Sequence, residues 1–133
     1  MVAVDGSEVS LKAVDHAARI AKDENALLLA LHVVASPQFE VSLPEYYENA
    51  RKSARKWMKD VENTAALHGL TIKAEILVGA YSIVDAIIGY AENQSIDLIV
   101  TGTRGRTQSA KLLVGSVAAG LVEYSSCSVL VVR

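Results

Sequence analysis

Residues 97–132 read DLIVTGTRGRTQSAKLLVGSVAAGLVEYSSCSVLVV, and this stretch decides the predicted fold. It begins with a short apolar strand over 97–101 and continues through a loop of glycines and polar residues. A helix over about 116–124 and an apolar strand over 127–132 follow. A strand, a crossover helix and a second strand in succession favour a parallel pair with a right-handed connection.

The rest of the chain repeats this alternation. Apolar periodicity and turn residues predict strands over 1–5, 26–34 and 71–78, and helices over 8–23, 43–68 and 83–93. Ser7 and Ser82 are placed to cap the first and third of these helices. Five strands that alternate with four helices predict an α/β fold: an open doubly wound parallel sheet, Rossmann-like, with helices on both faces. One common strand order for such a sheet is 3-2-1-4-5, and we infer it here. No repeat or linker is evident, so we expect a single domain over residues 1–133.

Composition and charge narrow the class of protein. The chain is 51% hydrophobic but only 5% aromatic, which suits a core of Val, Leu, Ile and Ala around a buried parallel sheet. The net charge of −2 argues against a general binder of nucleic acid or of anionic membranes. No apolar run reaches about 18 residues, so no transmembrane helix is expected. A single cysteine, Cys127, and an N-terminus unlike a secretory signal fit a cytoplasmic protein.

A ligand is expected where the winding of the sheet reverses. In doubly wound sheets this crevice lies at the carboxyl ends of the strands, here between strands one and four. Strand one ends at Asp5, and strand four ends at Thr101 and Gly102. The sequence therefore predicts an acidic residue on one wall of the crevice and a glycine-rich loop on the other.

The loop after strand four has the chemistry of a phosphate site. Gly102 and Gly105 allow the backbone to approach a ligand closely, and Arg104 and Arg106 supply positive charge. Gly115 opens the last helix, where free N–H groups and the helix dipole favour anions. The loop therefore suits a di- or triphosphate. On spacing alone, an ordinary turn followed by a helix cap explains the same residues, and this alternative stays open.

Two familiar phosphate motifs do not fit. A Walker A motif has Lys after its last glycine, whereas Ser116 follows Gly115 here. A dinucleotide fingerprint belongs after strand one, where this chain has only Gly6.

The spacing of the glycines resembles the nucleotide signature of the universal stress protein family. The signature is Gly, two residues, Gly, nine residues, Gly, then Ser or Thr, and it is met here from Gly102 to Ser116 without insertion or deletion. The segments VAVDGS at 2–7, LHV at 31–33 and VLVVR at 129–133 also resemble the family's strands. The resemblance covers essentially the whole chain.

The resemblance implies an ATP-binding protein, or one for AMP or ADP, that acts as a nucleotide-dependent switch or sensor in the stress response. It places Ala3 and Asp5 at the adenine and ribose, and Val33 at the base. It implies that Mg or Mn, if bound, is held mainly by the phosphates with Asp5 nearby. The implied binding residues are completed by Thr101 at the end of strand four, by Gly102, Thr103, Arg104, Gly105, Arg106, Thr107 and Gln108 around the ribose and phosphates, and by Gly115, Ser116 and Val117 at the phosphates.

Two other functions remain as alternatives. One is slow ATP hydrolysis or autophosphorylation, for which the sequence offers no obvious general base other than Asp5. The other is a dimeric interaction module that has lost its nucleotide, against which the intact signature argues. No catalytic residue is assigned, and the sequence does not name the stress or a downstream partner protein.

The remaining candidates have structural interpretations. His16, His32 and His68 are scattered, so no metal site is expected, and His32 is interpreted as buried or at the edge of the pocket. Cys127 and Trp57 are interpreted as core residues. The last strand, 127–132, is apolar and would form a sheet edge, which predicts a homodimer through this strand. The family resemblance supports the same homodimer.

Overall fold

The computed structural model describes residues 1–38, 42–105 and 113–133. Within these ranges strands and helices alternate along the chain. They are β1 (Val2–Ala3), α1 (Glu8–Asp23), β2 (Leu29–Ala35), α2 (Leu43–Ala66), β3 (Lys73–Ala80), α3 (Ile83–Asn93), β4 (Leu98–Gly102), α4 (Ser116–Tyr124) and β5 (Ser128–Val132).

The strands form one parallel sheet in the order β3-β2-β1-β4-β5, which confirms the predicted order and the doubly wound α/β class. β1 is the central strand, because Val2 pairs with Ala30 of β2 on one side and with Val100 of β4 on the other. From this centre the chain winds first toward β3 and then toward β5. The carboxyl ends of β1 and β4 therefore flank the reversal of the winding.

Several elements begin or end at residues other than those predicted. β2 begins at Leu29 and not at residue 26, because the turn after α1 continues to Ala26, whose N–H donates to the carbonyl of Ala21 at 2.8 Å. Asn25 adopts a φ of 51° in the same turn. The other strands, predicted over 1–5, 71–78, 97–101 and 127–132, are observed over 2–3, 73–80, 98–102 and 128–132, and the helix predicted over 43–68 is observed over 43–66.

Side-chain caps define where two of the helices begin. The hydroxyl oxygen of Ser7 accepts a hydrogen bond from the N–H of Ser10 at 3.1 Å and begins α1. Ser82 accepts from the N–H of Asp85 at 3.2 Å and begins α3. Both caps were predicted from the sequence, since a serine hydroxyl satisfies an N–H group that the first helical turn leaves without a partner.

The core is divided between the two faces of the sheet. On one face α1 and α2 contribute Val14 and Val61 to an apolar cluster that also contains Val100 of β4. On the other face α3 and α4 pack through Ile87 and Leu121, in the same apolar cluster as Leu31 and Ile99 of the sheet. Helices therefore cover both faces, as predicted. Among the described residues, no helix is long and apolar enough to cross a membrane.

Shortening a leucine in the second core cluster should destabilise the fold. Leu121 is 0% exposed, and replacement by alanine should lower the free energy of unfolding by about 2–5 kcal/mol through lost transfer energy and the cavity that remains. Chemical denaturation monitored by circular dichroism measures this change. The matched control is Leu67→Ala, since Leu67 is 85% exposed after α2. Equal effects of the two substitutions would contradict the assignment of Leu121 to the core.

Candidate functional site

A cavity of about 310 Å³ opens at the carboxyl ends of β1, β2 and β4, where the sheet reverses its winding. This is the position predicted from the strand order. α3 and the beginning of α4 complete its walls. The cavity is lined by Ala3, Val4, Asp5, Ser10, Leu31, His32, Val33, Ile83, Ile87, Thr101, Gly102, Thr103, Arg104, Gly105, Gly115, Ser116, Val117 and Ala118.

Asp5 joins the turn after β1 to the loop after β4. One of its carboxylate oxygens accepts a hydrogen bond from the N–H of Ser7 at 3.0 Å. The other, Oδ2, lies against Gly105, in space that a Cβ at this position would need. A side chain at position 105 would therefore displace the Asp5 carboxylate or the loop.

Two backbone hydrogen bonds hold the loop after β4 at its base. The N–H of Gly115 donates to the carbonyl of Thr103 at 2.6 Å, and the N–H of Thr103 donates to the carbonyl of Val132 at 2.7 Å. A Cβ at Gly115 would lie only 3.2 Å from the same Thr103 oxygen. The beginning of α4 is thus fixed beside the end of β4, although 11 residues of sequence separate Thr103 from Gly115.

The first turn of α4 forms the polar wall of the cavity. Gly115 is the N-cap residue and provides no side-chain cap for the N–H groups of this turn. These groups and the positive end of the helix dipole favour an anion. Ser116 and Arg104 line the same cavity and have exposed side chains. A hydroxyl donor and a guanidinium are therefore available to an anionic group at this end.

The opposite part of the cavity is apolar. Leu31 and Val33 of β2 lie in the same hydrophobic cluster as Ile87 of α3, and Ile83 packs against this cluster. Ala3 of β1 completes the apolar lining. A ligand that fills the whole cavity therefore combines an apolar group with an anionic group.

His32 supports the turn that carries Asp5. Its Nδ1 lies 2.9 Å from the carbonyl oxygen of Val4, and because a carbonyl only accepts, this nitrogen carries the hydrogen. The imidazole packs edge-on against the ring of Trp57, with 4.9 Å between ring centroids. The indole in turn lies against Gly6. His32 lines the cavity, as its interpretation as a pocket-edge residue requires, and Trp57 packs as a half-buried residue of α2.

The structure brings together 11 of the 14 binding residues that the sequence suggested. Their contacts with a ligand remain a prediction. Arg106, Thr107 and Gln108 lie outside the described residues. The residues that sequence reasoning missed are Val4, Ser10, Leu31, Ile83, Ile87 and Ala118. Ile83 and Ile87 are four residues apart on α3, so their spacing indicates a buried helical face but does not distinguish core from cavity.

A divalent cation fits this site only together with an anionic ligand. In the part of the chain that the structure describes, no group of three or more His, Cys, Asp or Glu side chains is arranged to hold a metal ion. Asp5 places one carboxylate in the cavity. Because Mg²⁺ is commonly held by one or two carboxylates together with phosphate oxygens, Asp5 suits a cation that arrives with a phosphate.

Adding a methyl group at Gly105 should destabilise the protein, because the new Cβ would overlap the Asp5 carboxylate. We expect Gly105→Ala to lower the free energy of unfolding by about 1–3 kcal/mol. The control is Gly89→Ala in α3, where nothing lies within 4 Å of the added Cβ. This control should be stabilised by up to about 1 kcal/mol through helix propensity. Thermal unfolding of both variants checks the prediction, and a Gly105→Ala protein as stable as the parent would refute it.

Known proteins are similar to this chain in sequence and in architecture. A universal stress protein of Methanocaldococcus jannaschii is 36% identical over 139 residues, a match that covers 100% of this chain and 80% of that protein. The solved structure of UspA from Lactobacillus plantarum superimposes with a TM-score of 0.87 at 28% identity and covers 99% of this chain and 96% of its own. A universal stress protein in complex with cAMP gives a TM-score of 0.77 at 29% identity and covers 99% and 94%.

The family assignment rests on the full length of the sequence given. The profile of the universal stress protein family matches residues 1–133. Sequence relatives and solved structures agree with it, and the cavity lies where the family's glycine signature meets the central strand of the sheet. The chain belongs to the universal stress protein family.

Proposed function

We propose that this protein binds an adenine nucleotide, ATP or a related nucleotide such as AMP, and acts as a nucleotide-dependent switch or sensor in the stress response. One observation carries the proposal. A single cavity joins an apolar slot between β2 and α3 to the uncapped first turn of α4. A purine is planar and largely apolar and a phosphate is anionic, so a nucleotide matches both ends.

The base is proposed to lie in the apolar slot, against Val33 of β2 and Ile87 of α3. The ribose then lies near Asp5, whose carboxylate accepts hydrogen bonds from sugar hydroxyls. The phosphates lie at the first turn of α4, where backbone N–H groups and the Ser116 hydroxyl donate to them. Arg104 adds charge at this end, and Mg or Mn bound by the phosphates would have Asp5 as its nearest carboxylate.

A related structure supports the class of ligand. The universal stress protein in complex with cAMP is 29% identical to this chain over nearly its whole length. Cyclic AMP contains the three parts that the proposal assigns to the cavity: an adenine base, a ribose and a phosphate. The two alternatives from the sequence, slow hydrolysis and a nucleotide-free module, have no comparable support.

The proposed switch depends on the base of the loop after β4. Gly105 contacts Asp5, and Gly115 is hydrogen-bonded to Thr103, so both ends of this loop border the cavity. A nucleotide that contacts both Asp5 and the first turn of α4 favours the arrangement in which Gly105 and Gly115 lie beside the cavity. Its binding free energy then shifts the arrangement of Gly105 and Gly115 that a partner protein meets.

Nucleotide binding is tested by titration calorimetry and by thermal unfolding with ATP, AMP, cAMP and GTP. We expect binding of at least one adenine nucleotide, and a ligand at about 100 times its Kd should stabilise the fold by about 2.7 kcal/mol. Ser116→Ala removes a phosphate donor and should weaken binding about fivefold, equivalent to about 1 kcal/mol. Ser53→Ala, at an exposed position on α2, is the control. The absence of both heat and thermal shift with the three adenine nucleotides would refute the proposal.

We also propose a homodimer formed through β5. β5 is one edge of the sheet, its side chains from Ser128 to Val132 carry no charge, and Val129, Leu130 and Val131 are half-buried. An apolar edge strand is a liability unless it is covered. A second copy related by a two-fold axis would cover it with an identical strand.

Light scattering of the purified protein at micromolar concentration checks the dimer. The parent chain should have twice the monomer mass. Val131→Glu should give a monomer, because it places like charges across the two-fold axis at a side chain outside both core clusters. Leu67→Glu, at an exposed residue after α2, should remain dimeric. A monomeric parent protein would exclude this interface.

A further inference from the structure

The middle of α2 carries a concentrated positive charge. Residues 51–59 read RKSARKWMK and contain five cations and no acid, in a chain whose net charge is −2. None of these residues lines the nucleotide cavity. The charge is therefore a separate feature of the surface, and its placement on the helix determines what it faces.

The cations form two rows on α2. Arg51, Arg55 and Lys59 recur every four residues on the flank of the helix that overhangs β3, whereas Lys52 and Lys56 lie on another side of the helix. The first row lines a groove of about 560 Å³ whose other wall is β3. We call this feature the basic groove. It is lined by Arg51, Arg55, Met58, Lys59, Glu62, Ala74, Glu75 and Ile76.

The basic groove is not neutralised by its own acids. Over the described ranges, Arg51, Arg55 and Lys59 take part in no salt bridge, while Lys52 of the other row pairs with an acid one turn earlier. Glu75 is paired with the ammonium of Lys73 at 2.5 Å, which holds the pKa of its carboxyl below the usual value. Three cations therefore face the groove with only one acid, Glu62, that is not already in an ion pair.

The other wall of the groove is the outer edge of β3, with which no other described strand pairs. β3 is the terminal strand opposite β5, and the N–H of Lys73 donates inward to the carbonyl of Leu28 at 3.3 Å. Because backbone groups alternate in direction along a strand, those of Ala74 and Ile76 point away from β2. A peptide segment in the groove therefore contacts backbone donors and acceptors of β3 that suit strand pairing. The cations of α2 lie above these groups.

The spacing of the cations along α2 matches the spacing of side chains on one face of a β-strand. Four residues of α-helix rise about 6 Å, which separates successive cations of the row. Two residues of a β-strand rise about 6.6 Å, which separates side chains on the same face. A strand added to β3 with acids at alternate positions would therefore present its carboxylates in step with Arg51, Arg55 and Lys59.

We propose that the basic groove is a docking site for an extended acidic segment of another protein, added as a sixth strand at the outer edge of β3. Alternate Asp or Glu side chains bind the cation row, and the backbone pairs with Ala74 and Ile76. A second copy of this chain does not suit the groove, because pairing β3 across a two-fold axis would bring the two cation rows together. The proposal does not depend on nucleotide binding.

The probe is a fluorescein-labelled nine-residue peptide of alternating Glu and Thr, titrated with the full chain and followed by fluorescence anisotropy. The test variant is the double substitution Arg55→Glu, Lys59→Glu. The matched control is Lys52→Glu, Lys56→Glu, which makes the same change in net charge on the same helix at exposed residues outside the groove. Circular dichroism verifies that both variants are folded.

We expect saturable binding that the test variant weakens about tenfold or more, because two attractive pairs become repulsive, while the control changes it by about twofold. N-methylation of alternate peptide amides should also abolish binding, and hydrogen exchange should show protection of the Ala74 and Ile76 amides. Equal losses in both variants, or full binding of the N-methylated peptide, would overturn the proposal. Tighter binding of single-stranded RNA with the same variant pattern would instead identify a site for nucleic acid.

Discussion

The pairing of β1 with two neighbours is the constraint on which the rest of the structure depends. This strand is only two residues long, yet Val2 is fully buried and pairs with both β2 and β4. Because the chain leaves this central strand toward β3 and returns to build β4 and β5, the crossovers separate at its carboxyl end. The cavity forms at this separation, and Asp5 enters it as the second residue after the strand.

The close contacts around the cavity explain why its glycines are spaced as they are. Gly105 meets the Asp5 carboxylate, and Gly115 meets the carbonyl of Thr103, so the loop after β4 touches both the turn that follows the central strand and its own beginning. Because the spacing of these two glycines allows both contacts to form, the first turn of α4 lies over the crevice. The polar end of the cavity therefore follows from backbone packing, and the apolar end follows from β2 and α3.

The two edges of the sheet face solvent with different chemistry. β5 presents an apolar edge without charged side chains, which suits an identical strand. β3 carries Lys73 and Glu75 and lies beneath the cation row of α2, which makes pairing with its own copy unfavourable. The difference arises because α2 overhangs the edge of β3. One sheet thus has an uncharged apolar edge at β5 and an edge bordered by cations at β3.

The sequence by itself determined the alternation of strands and helices, the serine caps of α1 and α3, and the glycine loop, because periodicity, capping and turn chemistry are local properties. It also determined where the crevice lies, since the connections of a doubly wound sheet restrict the strand order. Only the tertiary structure decided that Ile83 and Ile87 border the cavity, that His32 supports the turn at Asp5, and that the cations of α2 overhang β3. These facts depend on which faces of distant elements meet, and a helical stripe of apolar or charged residues has the same spacing whatever it packs against.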